Sequence, residues 1–409
     1  MKTTIRAAAA VVTLVPASVA QAQGAVKAWG DNREGQCNIP TDLGPCIAVA
    51  GGWGHSVALR SDGDVRVWGR NDLQQRNVPP DLGSCVAIAA SGGHTLALRA
   101  DGFVRVWGEN NHGQRNVPAD LGVCTAIAAG FYHSMAIRSD GSVQAWGWNG
   151  DGQVNVPTTL GPCRAIAGGY YHSVALRNDG IVRAWGGNSD GQCNVPNDLG
   201  PCIAIAAGYL HTISIRSDGT VRAWGSNADG RCNVPPDLGP CTAVAGSDHT
   251  VALGIDGVVR AWGRNGLGEC GVPDALGPCA GITAAGQCTL VVDLPPSADT
   301  DGDGRPNTSD NCPMVPNPTQ ADCDSDGIGD ACAIVDGASD VNSNGVPDSC
   351  ECLGDVTNGG LVDAVDLSVV LAAWGTDGQG KFNADIDGSG LVDGGDLALV
   401  LGGWGPCPQ

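Results

Sequence analysis

The chain has 409 residues, with 63 glycines, 16% charged and 4% aromatic residues, and a formal charge of −21. Glycine is the costliest residue after proline inside a helix, so this composition excludes a mainly helical protein. The negative charge excludes nucleic acid as a partner, and 42% apolar content excludes wholesale disorder.

The charge is uneven. From Pro295 onward, 20 acidic residues stand against Arg305 and Lys381, whereas the preceding 294 residues hold 23 acids and 20 bases. A near-neutral body carrying an acidic tail is expected.

Residues 1–22 read as an export signal. Lys2 and Arg6 lead into the apolar stretch Ala7 to Val19, and Ala20-Gln21-Ala22 is a small-x-small cleavage site. The stretch is too short to anchor in a bilayer, and no later apolar run reaches about 18 residues. A secreted or cell-surface protein of bacterial type, without a membrane span, is the expectation. Eighteen cysteines in an exported chain are expected to be largely bridged.

A repeat organises residues 23–294. Tryptophans fall at 29, 68, 107, 146, 185, 224 and 262, with five gaps of 39 and one of 38. Histidines at 55, 94, 133, 172, 211 and 249 keep the same spacing, with Cys288 in their seventh place. Within a unit, AIAAG, HSVALRSDG and VRAWG alternate with period two, and Asp62-Gly63 and its equivalents suit a two-residue hairpin turn. A fourth short strand is read around QCNVP. Four short strands repeated radially predict an all-β fold, a seven-bladed β-propeller. The body begins with the second half of a unit, VKAWGDN, and ends with a first half, GITAAGQCTLVVD, so the two ends are expected to share one blade and close the ring.

The strings AAGxxHSxAL and DGxVRAWGxN resemble the RCC1 (regulator of chromosome condensation) repeat family. The short units look most like its compact bacterial type, as in β-lactamase inhibitory protein II. That resemblance implies a seven-bladed propeller that meets a protein partner on one face. It says little about activity, because propellers host many.

Six histidines in one repeated column answer a packing demand made in every blade, and the tryptophan column does the same. Gly187 to Gly191 matches the hydrolase GxSxG string, but sister repeats place Asn111, Gly150 and Ala228 at the position of Ser189, so the match is chance. No catalytic constellation emerges. Four units carry C-x8-C, and bridges are expected within Cys37/Cys46, Cys193/Cys202, Cys232/Cys241 and Cys270/Cys279. Cys85, Cys124 and Cys163 are left as single buried thiols.

The positions that the repeat leaves free carry the functional signal. Just before each histidine, successive units place Trp53-Gly54, Gly92-Gly93, Phe131-Tyr132, Tyr170-Tyr171, Tyr209-Leu210, Ser247-Asp248 and Gly286-Gln287. All four tyrosines fall in this loop. Trp53, Phe131, Tyr132, Tyr170, Tyr171, Tyr209 and Leu210, with Trp148 from another loop, are the candidate partner-binding residues, because protein interfaces and sugar platforms use aromatic anchors.

The acidic tail contains calcium-loop patterns, with oxygen ligands at positions 1, 3, 5, 9 and 12. Asp299, Asp301, Asp303, Asn307 and Asp310 fit that frame, as do Asp322, Asp324, Asp326 and Asp330, then Asp340, Asn342, Asn344, Asp348 and Glu351. The stretch DNCPMVPNPTQADCDSDGIGDAC in residues 295–351 resembles the thrombospondin type 3 repeat. This implies calcium held by stacked loops with little regular structure, and a bridge from Cys312 to Cys332.

Residues 352–409 hold two copies of a loop-helix pattern thirty residues apart. The second supplies Asp385, Asp387, Ser389, Asp393 and Asp396; the first places Asp355, Asp363 and Asp366 at positions 1, 9 and 12, with Gly359 supplying no ligand at position 5. The pair resembles a dockerin module, which implies calcium and a cohesin-like or cell-surface partner. Cys352 and Cys407 flank the module and can clasp its ends. The leading expectation is a secreted, non-enzymatic binding protein with a protein or glycan partner. The rivals are a polysaccharide-associated enzyme and a proteinaceous enzyme inhibitor.

Overall fold

The structure, a computed structural model, describes residues 23–295 without interruption. Beyond them it describes 299, 303, 305–306, 309–312, 315–322, 329–335, 347, 354–356, 361–378, 384–387, 389–402 and 405–406. The expected signal 1–22, the ligands Asp301, Asn307, Asp324, Asp326, Asp340, Asn342, Asn344, Asp348 and Glu351, and the cysteines Cys352 and Cys407 lie outside the described residues. The chain divides into two compact units, Met1–Thr300 with Pro306–Thr308, and Asp301–Arg305 with Ser309–Gln409.

The first unit is built of seven three-stranded antiparallel blades, which fits a β-propeller. Blade one comprises Cys46–Gly51, His55–Arg60 and Val65–Gly69. Blade two comprises Cys85–Ser91, His94–Arg99 and Val104–Gly108, and blade three Cys124–Ala129, His133–Arg138 and Val143–Gly147. Blade four comprises Cys163–Gly168, His172–Arg177 and Val182–Gly186, and blade five Cys202–Ala207, His211–Arg216 and Val221–Gly225. Blade six comprises Cys241–Gly246, His249–Gly254 and Val259–Gly263. The remaining blade joins Ala25–Gly30 to Cys279–Ala285 and Cys288–Asp293, with Ala25 opposite Asp293 and Gly30 opposite Cys288. It is called the shared blade below.

The middle strand of each blade is buried on both faces, because its alternate side chains pack on the two neighbouring blades. Leu59, Leu96, Ile137, Leu176, Ile213 and Val291 are almost wholly enclosed. At about 1.5–3 kcal/mol for each large apolar side chain, this repeated burial is the main favourable contribution to the fold. The first strands follow one another from blade to blade, and that of the shared blade lies against the first strands of both blade six and blade one.

Two local expectations are corrected. No fourth strand forms at QCNVP. The Cys37 N–H donates to the Asn32 side chain at 2.9 Å and the Asn38 N–H to Gly35 O at 3.1 Å, so the backbone donors are used within a turn and not in a ladder. The same pattern recurs at Asn188 with Cys193 and Asn227 with Cys232. The hairpin turns are also longer than two residues. Arg60 N–H donates to Asp64 O and Gly63 N–H to Arg60 O, only Gly63 takes positive φ (85°), and Asp62 accepts from the Asp64 N–H. Asp62 therefore serves as a side-chain acceptor and not as a left-handed residue.

In the second unit, α1 (Asp330–Val335) carries Cys332 of the Cys312–Cys332 bridge, and α2 (Ala364–Ala372) and α3 (Gly394–Gly402) pack together. Val362, Val370, Ala384, Ile386, Val392 and Val400 form their core. Helices α2 and α3 each start on an aspartate pair. Asp363 accepts from the Val365 N–H while Asp366 accepts from the Asp363 N–H, and Asp393 with Asp396 repeats this at α3. Among the described residues, no helix is long and apolar enough to cross a membrane.

Candidate functional site

In blades one, three, four and five the loop before the histidine is held by two sets of backbone hydrogen bonds. Trp53 N–H donates to Gly92 O, Phe131 to Gly169, Tyr170 to Tyr209 and Tyr209 to Ser247, so each loop is tied to its neighbour in the next blade. Meanwhile Gly54, Tyr132, Tyr171 and Leu210 accept from Arg70, Trp148, Gly187 and Ser226, which binds the same loop to the exit of its own third strand. This second bond sets Trp148 beside Tyr132.

The free positions thereby converge into one ring cluster. Phe131 stacks on Tyr170 at 4.2 Å with 15° between planes, and Tyr209 meets both edge-on at 5.6 and 5.5 Å. Tyr170 lies 4.3 Å from Tyr171 and 5.3 Å from Tyr132, and the Tyr132 and Tyr170 hydroxyls share a hydrogen bond of 3.1 Å. Burial, followed by the Tyr132 hydroxyl, drives the Tyr170 pKa well above the ordinary phenol range. Trp53 reaches Phe131 at 5.9 Å across blade two, whose Gly92 is required there: a Cβ on Gly92 would sit 2.3 Å from Phe131 O. Phe131 is buried, the tyrosines and Leu210 are half-buried, and Trp53 and Trp148 remain 53% and 37% exposed.

Sequence reasoning missed His112. It lies edge-on to Tyr132 at 4.7 Å and to Trp148 at 4.8 Å, linking the two. The signal was present, since His112 is the one histidine of seven outside the 39-residue period. Charged groups flank the cluster. The Arg70 guanidinium lies 5.7 Å over Trp53 and pairs with Asp72, while Asp248 pairs with Arg264 at 3.4 Å.

The fixed columns do structural work. Each histidine Nε2 meets the hydroxyl that follows the next blade's histidine position: His55 with Thr95, His94 with Ser134, His133 with Ser173, His172 with Thr212, His211 with Thr250 and His249 with Thr289, all at 2.7–3.1 Å. In five of these, from Ser134 to Thr289, the hydroxyl in turn donates to a carbonyl, such as Thr212 to Gln192 O at 2.8 Å. Its single proton is thereby used, so the histidine Nε2 must donate and Nδ1 is left bare. The tryptophan Nε1–H groups donate to the same carbonyls, as Trp224 does to Gln192 O. Ser189, in the GxSxG string, turns its hydroxyl onto Asp190 at 3.0 Å.

The four expected C-x8-C bridges do not form; none of their eight cysteines is in a disulfide. In each pair the two thiols face different carbonyls. Cys193 Sγ donates to Gly187 O and Cys202 Sγ to Gly200 O, with the equivalent arrangement at Cys232 and Cys241, at Cys270 and Cys279, and at Cys37 and Cys46. The spacing set the residues close in sequence, but the strand start at the second cysteine turns its sulfur away. Cys85, Cys124 and Cys163 are buried free thiols. In the second unit the Cys312–Cys332 bridge is present.

Of the calcium ligands expected there, Asp385, Asp387 and Asp396 come together, with one carboxylate oxygen from each within 4.8 Å of the others. Asp385 is 8% exposed and its Oδ1 is buried without a hydrogen-bond partner, a costly state that a bound cation relieves. Hard carboxylate oxygens suit calcium. Ser389 and Asp393 are used locally, on Leu391 O and the Gly395 N–H. Asp363 and Asp366 cap α2. In the disulfide-bearing segment, Asp303 accepts from the Asn317 N–H and Asp310 from the Cys312 N–H, both at 2.8 Å. Asp330 opens α1; Asp322 is described without Asp324 and Asp326, Asp299 without Asp301 and Asn307, and Asp355 together with Asp363 and Asp366.

Fold and repeat together define a class, the propellers built from RCC1 repeats. Six segments match the model of the Regulator of chromosome condensation (RCC1) repeat: 46–75, 85–114, 124–153, 163–192, 202–231 and 242–269. Residues 297–320 match the thrombospondin type 3 repeat. No curated protein matches the chain. Among solved structures, Prp20p from Saccharomyces cerevisiae, described with its binding to Gsp1p and histones, is similar at 19% identity and a TM-score of 0.59. That likeness covers 69% of this chain and 94% of that one. Yeast RCC1 (Prp20) in complex with Kap60 is similar at 19% identity and a TM-score of 0.60, over 72% and 94% of the two chains. Human WBSCR16 follows at 18% and 0.57, over 66% and 100%. At such identities the likeness is one of fold.

Proposed function

We propose that this chain is an exported, non-enzymatic binding protein. Its ring, closed through the shared blade, offers the aromatic arc to a protein partner. The observation that carries this reading is the single network of Trp53, Phe131, Tyr132, Tyr170, Tyr171 and Tyr209, extended by His112 and Trp148, at positions the repeat leaves free. Two large exposed indoles at the edges of a prepacked cluster are the form a binding hot spot takes. Protein binding by Prp20p supports the choice of a protein over a glycan.

The double variant Tyr170→Ala, Tyr171→Ala tests it. Sister repeats hold Gly92-Gly93 and Ser247-Asp248 at these positions, so the melting temperature of the full chain should shift little. Partner captured from culture supernatant by the wild-type chain should bind the variant at least about thirtyfold more weakly, corresponding to about 2 kcal/mol. Undiminished capture by the variant would falsify the assignment. A glycan array bound through the same residues would replace the protein partner with a sugar, and turnover of a polysaccharide by the purified chain would end the non-enzymatic reading.

The acidic segments of this reading bind calcium, with a dockerin-like attachment unit at the end. The cluster of Asp385, Asp387 and Asp396 supports the metal, and the match at 297–320 supports the first segment. Exposed Val365, Leu371 and Leu401 on α2 and α3 support a surface-attachment role, toward a cohesin-like or cell-surface partner. With 19 acidic residues against Arg305 and Lys381, a net charge of −17, and a small apolar core, the second unit should depend on the cation for its stability. In calorimetry with added chelator, its transition should fall by ten degrees or more, roughly, while the propeller transition stays in place. A chelator-insensitive lower transition would refute the calcium role.

A further inference from the structure

Two departures from the repeat meet in the shared blade. Cys288 is the one residue of the seven-membered histidine column that is not histidine, and it pairs across the strands with Gly30. Cys37 lies in the turn that leaves the same N-terminal strand. Their Sγ atoms are 3.0 Å apart, although 251 positions separate them in sequence. In blades four to six, the cysteine equivalent to Cys37 follows a strand that pairs with His172, His211 or His249, so it has no second sulfur in that place. In blades one to three the equivalent residues are Arg76, Arg115 and Val154. Within residues 23–295, two cysteine sulfurs therefore face each other only in the shared blade, where the two ends of the repeat body are joined in one sheet.

The same place lacks the polar link found elsewhere. Each of blades one to six sends a histidine Nε2 to a hydroxyl of the following blade, and Cys288 sends none to Ser56 of blade one. The six-residue strand Ala25–Gly30 is held in its blade by the ladder to Cys288–Asp293, and peeling it off opens the ring.

We propose that Cys37 and Cys288 form a disulfide that locks the N-terminal strand to the C-terminal strand of the shared blade. The oxidant is a disulfide of the protein or glutathione class. The Cys37 thiolate attacks one of its sulfurs and releases one thiolate; the deprotonated Cys288 then attacks Cys37 Sγ and releases the second. In sum the protein dithiol loses two electrons and two protons, and the oxidant becomes two thiols. The sulfurs need to approach by about 1 Å to reach bonding distance. Cys37 is half-buried while Cys288 is fully enclosed, which makes Cys37 the residue an oxidant reaches first. The hydrogen bond from Cys288 holds the Cys37 pKa below the ordinary thiol value. By contrast, burial pushes Cys193 and Cys232 up to about 11, leaving them inert as protonated thiols.

The test treats the full-length chain with oxidised glutathione, blocks the remaining thiols, digests it without reduction and maps it by mass spectrometry. A cross-linked pair of peptides containing Cys37 and Cys288 is expected. Both cysteines recovered as blocked thiols, or Cys37 joined to Cys46, overturns the proposal. Cys37→Ser keeps a small residue where sister blades already tolerate arginine and valine, and it retains Cys312–Cys332. The oxidised wild-type propeller should melt about 5–10 °C above oxidised Cys37→Ser, since so long a closed loop constrains the unfolded chain strongly. Equal melting temperatures in the presence of the cross-link overturn its role as a ring lock.

Discussion

Acidification from pH 7 to 4.5 should unfold the propeller, and the loss should begin near pH 6.5. The cause is the six-membered histidine column. Burial lowers His55, His133, His211 and His249 to about 3, and His94 and His172 to about 4. In the unfolded chain a histidine titrates at about 6.5. Because the folded value is the depressed one and the group is a base, the folded rings stay neutral while the unfolded rings bind protons. The stabilising effect is complete above the unfolded value and is withdrawn as pH falls through the window from about 6.5 to 4. Each ring withdraws up to about 1.4 kcal/mol per pH unit. Six rings acting together over two units match or exceed the ~5–15 kcal/mol by which a domain is stable. The bare Nδ1 gives the proton no hydrogen-bond acceptor when it arrives, which adds to the cost of charging these rings in place. The Thr220 hydroxyl holds the Asp218 carboxyl below the ordinary carboxylate range, so a surface pair such as Arg216–Asp218 contributes little and would be lost only at lower pH. Melting curves at half-unit pH steps separate the two; a melting temperature constant from pH 7 to 5 rules out the histidine column as the acid-sensitive element.

Replacing His172 with alanine should destabilise the propeller by about 3 kcal/mol. The substitution removes a fully buried ring, leaves a void beside Gly169, and strips Thr212 of the donor that blade four sends to blade five. The aromatic arc one and two residues earlier is expected to tolerate truncation with far less loss. Unfolding in denaturant gives the comparison directly. If His172→Ala leaves the midpoint unmoved while the tyrosine pair lowers it, the fixed column is not structural and the free column is, which would exchange the two roles. Retained partner binding by a folded His172→Ala chain at low temperature is the matching functional expectation.

The 39-residue period by itself determined the blades, their number, the half-units at the two ends of the body and the columns that repeat. These follow from sequence because a strand, a turn and a packing position recurring in every blade meet the same neighbours each time, so Trp68, Trp107 and their equivalents need only one local explanation. The aromatic loop was legible for the opposite reason, as variation within a fixed frame. Tertiary structure alone decided what depends on the direction of a side chain and on the convergence of distant loops. It shows Asn32 and Asn188 closing turns where the alternation predicts a fourth strand, and Asp62 acting as an acceptor beside a single left-handed glycine. It turned Cys46 away from Cys37 and set Cys288 against it. It also brought His112 between Tyr132 and Trp148. A spacing of eight residues states how far apart two cysteines lie along the chain, whereas a bond requires their sulfurs to point at each other. That orientation is fixed only when the two ends of the body pair in one sheet.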